Sequence, residues 1–158
     1  METGADTHAA DAAYMERALG LAQAAAGAGE APIGALVVDP SSDEIVAEAF
    51  NRPIAGHDPS AHAEILALRA AGAARGNYRL TGLTLFVTLE PCAMCAGAIS
   101  HARIARLVYA ASDPKGGAVA HGPRFFEQPT CHWRPQVSAG LMAEESAALL
   151  RGFFRARR

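Results

Sequence analysis

Apolar residues recur along this chain with two different periods. Between residues 11 and 27, Tyr14, Ala18, Leu21 and Ala25 fall on one face at helical spacing, with Met15, Leu19 and Ala22 beside them, which predicts a first helix. Gly27 and Gly29 end it. The runs IGALVVDP and EIVAEAF, joined through the turn-rich PSSD, read as a β-hairpin. Helical spacing returns after Asp58-Pro59-Ser60, where Ser60 suits an N-cap and Ile65, Leu66 and Leu68 face inward. LTLFVTLE is predicted to be a buried strand. Pro91, just after it, suits the first position of another helix, because its missing N–H costs nothing there. ARLVYAA is a further short strand, and from Gly140 the run LMAEESAALLRGFFRARR is helical again. The order helix, hairpin, helix, strand, helix, strand, tail, helix predicts an α/β fold, a mixed sheet with helices on both faces.

No repeat, low-complexity tract or long linker interrupts this order. At 158 residues and 51% apolar composition the chain suits one domain, residues 1–158, of which 1–10 are expected to be flexible. Three cysteines are too few, and the wrong parity, for a secreted disulfide framework. METGADTH carries no basic leader, and no segment reaches the roughly 20 apolar residues that span a bilayer. The expectation is a soluble cytoplasmic protein with no membrane partner.

Charge adds a second feature. The net charge is only −2, yet residues 1–64 sum to −9 and residues 65–158 to +7, with four arginines in the closing RGFFRARR. Such a split suits either a face that binds a polyanion or a solvated final helix.

Two of the three cysteines lie in PCAMC. If Pro91 opens a helix, Cys92 and Cys95 share its first turn, where unpaired N–H groups and the helix dipole favour thiolates. A CxxC pair alone fits either a redox dithiol or half of a zinc site. Upstream, HDPSAHAEI places His62 and Glu64 around Ala63, again at a predicted helix start. Twenty-six residues separate Glu64 from Pro91, enough for the rest of a helix, a loop and one strand, so the two helix starts can meet at one end of the sheet. Imidazole and two thiolates are donors zinc prefers, and three protein ligands leave a position open for water. Glu64 is too near His62 in sequence to share the metal easily, but it can reach that water.

HAE followed by PCAMC resembles the H-x-E…P-C-x-x-C signature of zinc-dependent cytidine and adenosine deaminases. NRPIAGHDPSAHAEILALR, NYRL, TLFVTLEPCAMCAGAI, HARIARLVY and AALLRGFFRARR further resemble segments of the bacterial tRNA-specific adenosine deaminases, in the same order, over most of residues 50–110 and the final helix.

The resemblance implies a three-layer α/β/α cytidine deaminase-like fold with a central mixed sheet of about five strands. It also implies one zinc ion per subunit on His62, Cys92 and Cys95, with Glu64 as the catalytic proton shuttle for hydroxide attack on C6 of adenine. Adenosine would become inosine at the wobble position of a tRNA anticodon loop, that of an arginine tRNA, whose unpaired base is cheap to flip out. Asn51 and Ala63 would contact the purine, although Asn51 also suits a turn cap before Arg52-Pro53. Asp113 would lie near the RNA backbone or simply serve the turn before Pro114. Arg155, Arg157 and Arg158, with Arg151, would meet phosphates, or Arg151 and Arg155 would be a solvent face. The family implies a homodimer, and no DNA partner is expected.

Residues 114–139 depart from the family pattern, with Gly116-Gly117, His121 and Cys131-His132-Trp133. Cys131 opens a different reading: as a fourth ligand it would close the metal site and make the protein a zinc-stabilised RNA-binding module. A deaminase of the same fold acting on free guanine or cytosine is the other alternative. His101 and the basic tail favour the tRNA branch over it.

Overall fold

The computed structural model describes the backbone of residues 4–157 and side chains from Ala9 to Arg157. Its elements are α1 (Gly4–Gly27), β1 (Gly34–Asp39), β2 (Glu44–Phe50), α2 (Ala63–Arg75), β3 (Thr84–Leu89), α3 (Ala93–His101), β4 (Arg106–Ala111), a single 3₁₀ turn (Phe125–Glu127), β5 (Gln136–Ala139) and α4 (Ala143–Arg155). The sheet order is β2-β1-β3-β4-β5. β1 runs antiparallel to β2 and β3, whereas β3, β4 and β5 are parallel, so the sheet is mixed.

Alternation within the strands separates two cores. Leu36, Val38, Phe86, Val108 and Ala110 pack with Met15 and Ala18 of α1 on one face. Ala35, Val37, Leu85, Val87, Leu107 and Tyr109 pack with α2 and α3 through Ala67, Leu68, Ala96 and Ile99 on the other. α4 joins α1 against β3 and β4, completing three layers. Gly34 sets how closely α1 approaches: a Cβ there would lie 2.1 Å from the Ala18 carbonyl oxygen. A bidentate pair from Arg106 to Asp11, at 2.9 and 2.6 Å, ties α1 to β4.

Several boundaries differ from the sequence reading. α1 begins at Gly4, ahead of the start at residue 11 read from the pattern, while residues 1–3 lie outside the described residues. Ser60 does not cap α2. Its N–H and hydroxyl both bond the Asp58 carboxylate in a local turn, and His62 takes the N-cap position. Pro91 is not the first residue of α3, because Cys92 is the N-cap and the helix opens at Ala93. The tail contains a fifth strand, β5, which has four residues and a mostly exposed face, and therefore little hydrophobic pattern.

Candidate metal centre

Strands β3 and β4 run in parallel, with Leu89 opposite Ala111, so the segments that leave them emerge together at one end of the sheet. The segment after β3 carries Cys92 and starts α3. On the same face of the sheet, α2 starts at His62. Both N-cap residues, His62 and Cys92, have extended backbones and neither uses its side chain to cap its helix. Each helix forgoes the side-chain cap that Ser or Asp would provide, worth about 1 kcal/mol. The two side chains are left free to meet.

They meet at bonding distance for a shared metal. His62 Nδ1 lies 3.6 Å from Cys92 Sγ and 3.5 Å from Cys95 Sγ, and the three atoms lie within 4.8 Å of one another. Zinc bonds of about 2.0 Å to nitrogen and 2.3 Å to sulfur at a tetrahedral angle place N and S about 3.5 Å apart. The donor set and its spacing therefore fit zinc, and an imidazole beside two thiolates favours it over harder divalent ions.

The electrostatics of the thiols are asymmetric. The Cys95 thiol donates to Cys92, and against the opposing effect of burial this, with the N–H groups of Cys95 and Met94 and the His62 ring, brings Cys92 down to about 5. Cys95 is pushed up by that same bond to Cys92 and by its burial. Glu64, only 4% exposed, lies in the first turn of α2. Burial raises its carboxyl above the usual range, and the Cys92 charge adds to this; its own N–H, His62 and the Cys95 thiol oppose it. A buried carboxyl with a raised pKa beside metal ligands is suited to hold and release a proton.

These observations coincide with a match to the cytidine and deoxycytidylate deaminase zinc-binding region over residues 8–111. The chain belongs to that family. A tRNA-specific adenosine deaminase of Agrobacterium fabrum is 53% identical over 145 residues, 92% of this chain and 94% of that one. A solved structure from a study of A-to-I editing by tRNA:A34 deaminases at the wobble position superposes with a TM-score of 0.84 at 52% identity, covering 87% of this chain and 98% of that one. The guanine deaminase of Nitrosomonas europaea gives a TM-score of 0.79 at 28% identity, covering 90% of this chain and 83% of that one. The HAE and PCAMC segments, both within the matched region, supply the His62, Cys92 and Cys95 group that fits a zinc ion.

The other expected site residues fall in different places. Asn51 is buried and its Oδ1 has no hydrogen-bond partner among the described residues. An orphaned buried acceptor costs about 1–3 kcal/mol, which a bound ligand would recover. The Arg52 N–H bonds the Ala61 carbonyl at 2.9 Å and so draws Asn51 toward the start of α2. Ala63 is fully buried between His62 and Glu64. Asp113 Oδ1 accepts from the N–H groups of Lys115 and Gly116, which is the turn role. Cys131 is not a ligand. It is buried, 3.6 Å from Ser100 Oγ, and donates to the Trp133 carbonyl at 3.1 Å, so the closed site is not built.

The charge split does not leave one open basic face. Arg75 pairs with Asp39 and Glu44, Arg69 with Asp58, and Arg106 with Asp11, so the basic half neutralises part of the acidic half across the fold. On α4, Arg151 pairs with Glu144. Arg157 stacks 3.5 Å over Phe153, and neither it nor the exposed Arg155 has a carboxylate partner among the described residues. Arg158 lies outside the described residues. A groove of about 710 Å³ between α2 and α3 is lined by Ile65, Leu68, Tyr78, Ala98 and His101; it contains none of the metal ligands.

Two buried carboxylates escaped the sequence reading. Glu30 accepts from the N–H groups of Ile54 and Ala55 at 3.1 and 2.8 Å, holding the loop that follows Asn51. Glu90, just ahead of Pro91 and Cys92, gathers four backbone N–H groups and the His121 ring. Burial pushes Glu90 up, but these donors outweigh it and hold the carboxyl below its usual value. The available signal was a lone acid ending an otherwise apolar strand.

Proposed function

We propose that this protein hydrolytically deaminates the wobble adenosine of a tRNA anticodon loop to inosine, with an arginine tRNA as the substrate. The observation that carries the reading is the buried Glu64 beside the His62, Cys92 and Cys95 group. Similarity at 53% identity to a tRNA-specific adenosine deaminase supports the choice of substrate.

His62, Cys92 and Cys95 would hold zinc, which as a Lewis acid makes water a usable nucleophile near neutral pH. Glu64 takes a proton from the attacking water and delivers it to the purine ring nitrogen while a C–O bond forms at C6. Glu64 then takes the proton of the new C6 hydroxyl and passes it to the C6 amine, the C–N bond breaks as the C6 carbonyl forms, and ammonia leaves. Asn51 Oδ1 accepts from the base and fixes its orientation, and Ala63 packs beneath it. Burial keeps bulk water from competing for the Glu64 proton. Arg155 and Arg157, with Arg158, contact the RNA backbone, where each phosphate contact adds salt dependence.

The chain works in the cytoplasm as a homodimer, for which the groove between α2 and α3, largely apolar and with Tyr78 exposed, is a candidate face. No helix among the described residues is long and apolar enough to cross a membrane.

The test is inosine formation on an arginine tRNA anticodon stem-loop, set against ammonia release from free adenosine, guanine and cytosine, with wild type and Glu64→Ala. Inosine on the RNA alone, lost in Glu64→Ala, supports the reading. Turnover of a free base with untouched RNA would replace it with the guanine deaminase chemistry of the structural neighbour.

A further inference from the structure

We infer that Glu90 is a positioning residue that holds the loop after β4 in place as one wall of the zinc pocket, where it seats the RNA. This rests on the tRNA deaminase reading above. The loop leaves β4 beside the segment that carries Cys92, because Leu89 and Ala111 are partners at the ends of parallel strands. It is stapled there directly: the Ala118 N–H bonds the Pro91 carbonyl at 2.9 Å, one residue before the first thiol.

The remaining anchorage passes through one side chain. Glu90 is 2% exposed, and its two oxygens divide the work. Oε1 accepts from the Asp113 N–H at 3.0 Å and pairs with His121 Nδ1 at 2.8 Å. Oε2 accepts from the N–H groups of Val119, Ala120 and His121 at 3.2, 3.0 and 3.2 Å. Asp113 and the Val119–His121 stretch of the loop therefore converge on one carboxylate. Gly117 lies between them, and a Cβ there would come within 2.4 Å of both Cδ and Oε2 of Glu90. The loop is wrapped so closely around the carboxylate that only glycine fits. No base or acid in the deamination scheme needs Glu90, and an ionised carboxylate with this many donors is an expensive group to bury without a purpose.

Glu90→Gln isolates the anchor. The amide keeps the volume but turns one acceptor into a donor, so whichever way it is flipped it faces N–H groups at one of the two oxygen positions. The loop then populates its RNA-seating form less often, and KM rises in proportion to the lost fraction.

We expect the zinc-loaded Glu90→Gln protein to bind one zinc per chain, as wild type does. KM for the anticodon stem-loop should rise about tenfold or more, with kcat within about threefold. Amide hydrogen exchange at Asp113, Val119, Ala120 and His121 should quicken about tenfold or more while Leu36 and Phe86 in the sheet stay protected. His121→Ala removes a single partner, should fold if Glu90→Gln does not, and should shift KM and exchange less in the same direction. Loss of zinc, a fall in kcat at constant KM, or unchanged exchange at those four amides would overturn the inference. Wild-type protein that makes no inosine would instead sink the substrate reading, and the exchange measurement would still decide whether Glu90 holds the loop.

Discussion

Glu64→Gln tests the proton shuttle with the least disturbance, since the amide matches the carboxyl in size and shape. Positioned acid–base groups contribute roughly 10²–10⁴ in rate, equivalent to about 2.7–5.5 kcal/mol of transition-state stabilisation. Glu64 is 4% exposed and two residues from His62, so its carboxyl is shielded from bulk solvent, and the loss in kcat should reach that range. Stability should move the other way. The Glu64 pKa is raised in the folded protein, chiefly by burial, so the native state resists its ionisation. In zinc-stripped wild type, folding is favoured most below the usual glutamate pKa of about 4.3, and stability falls as pH rises toward the folded value. Glutamine never ionises, so stripped Glu64→Gln should melt above wild type at pH 7, with the gap closing by about pH 4. The assays are single-turnover inosine formation on the stem-loop and thermal melts across that pH range. A kcat within about tenfold of wild type, or a melting point that falls at pH 7, would refute the assignment.

Other predictions follow from separate parts of the molecule. In zinc-stripped protein, alkylation with iodoacetamide should label Cys92 with a rate that rises with pH around a midpoint of about 5, while the buried Cys95 stays unlabelled; labelling with a midpoint near 8.5 would remove the thiolate. Cys131→Ala should keep one zinc per chain by metal analysis and its activity, losing only about 1 kcal/mol in urea unfolding from its contacts with Ser100 and Trp133. Gly34→Ala forces a methyl against the Ala18 carbonyl and the backbone of Ala22, and should cost about 3 kcal/mol in urea unfolding, because backbone cannot yield as a flexible side chain can.

The convergence of His62, Cys92 and Cys95 was legible because their chemistry and spacing are both unusual: HAE and PCAMC need only one strand between them to meet, and β3 supplies it. The strands of the core were equally plain, since Leu36, Phe86 and Val108 alternate with residues that face α2 and α3. β5 was not, because an edge strand with exposed Gln136 and Val137 carries no period that distinguishes it from a loop. The helix starts were misread for a physical reason. Ser60 looks like a cap and Pro91 like a first helical residue, but the metal site needs His62 and Cys92 at the N-caps, so local preference yields to the placement of ligands.

The same reasoning separates what this fold shares from what it varies. A tRNA deaminase at 52% identity and a guanine deaminase at 28% both superpose closely on this chain, so sheet and helix geometry cannot choose between an RNA and a free base. The choice has to lie in the segments around the pocket. Two of these segments are held by buried carboxylates on opposite sides of the sequence motif, the loop after Asn51 by Glu30 and the loop after β4 by Glu90. A carboxylate that collects backbone N–H groups fixes the path of a loop without constraining its side chains. The anchors can therefore stay while a loop residue such as Lys115, whose side chain takes no part in them, changes, and substrate preference can shift without disturbing His62, Cys92, Cys95 or Glu64.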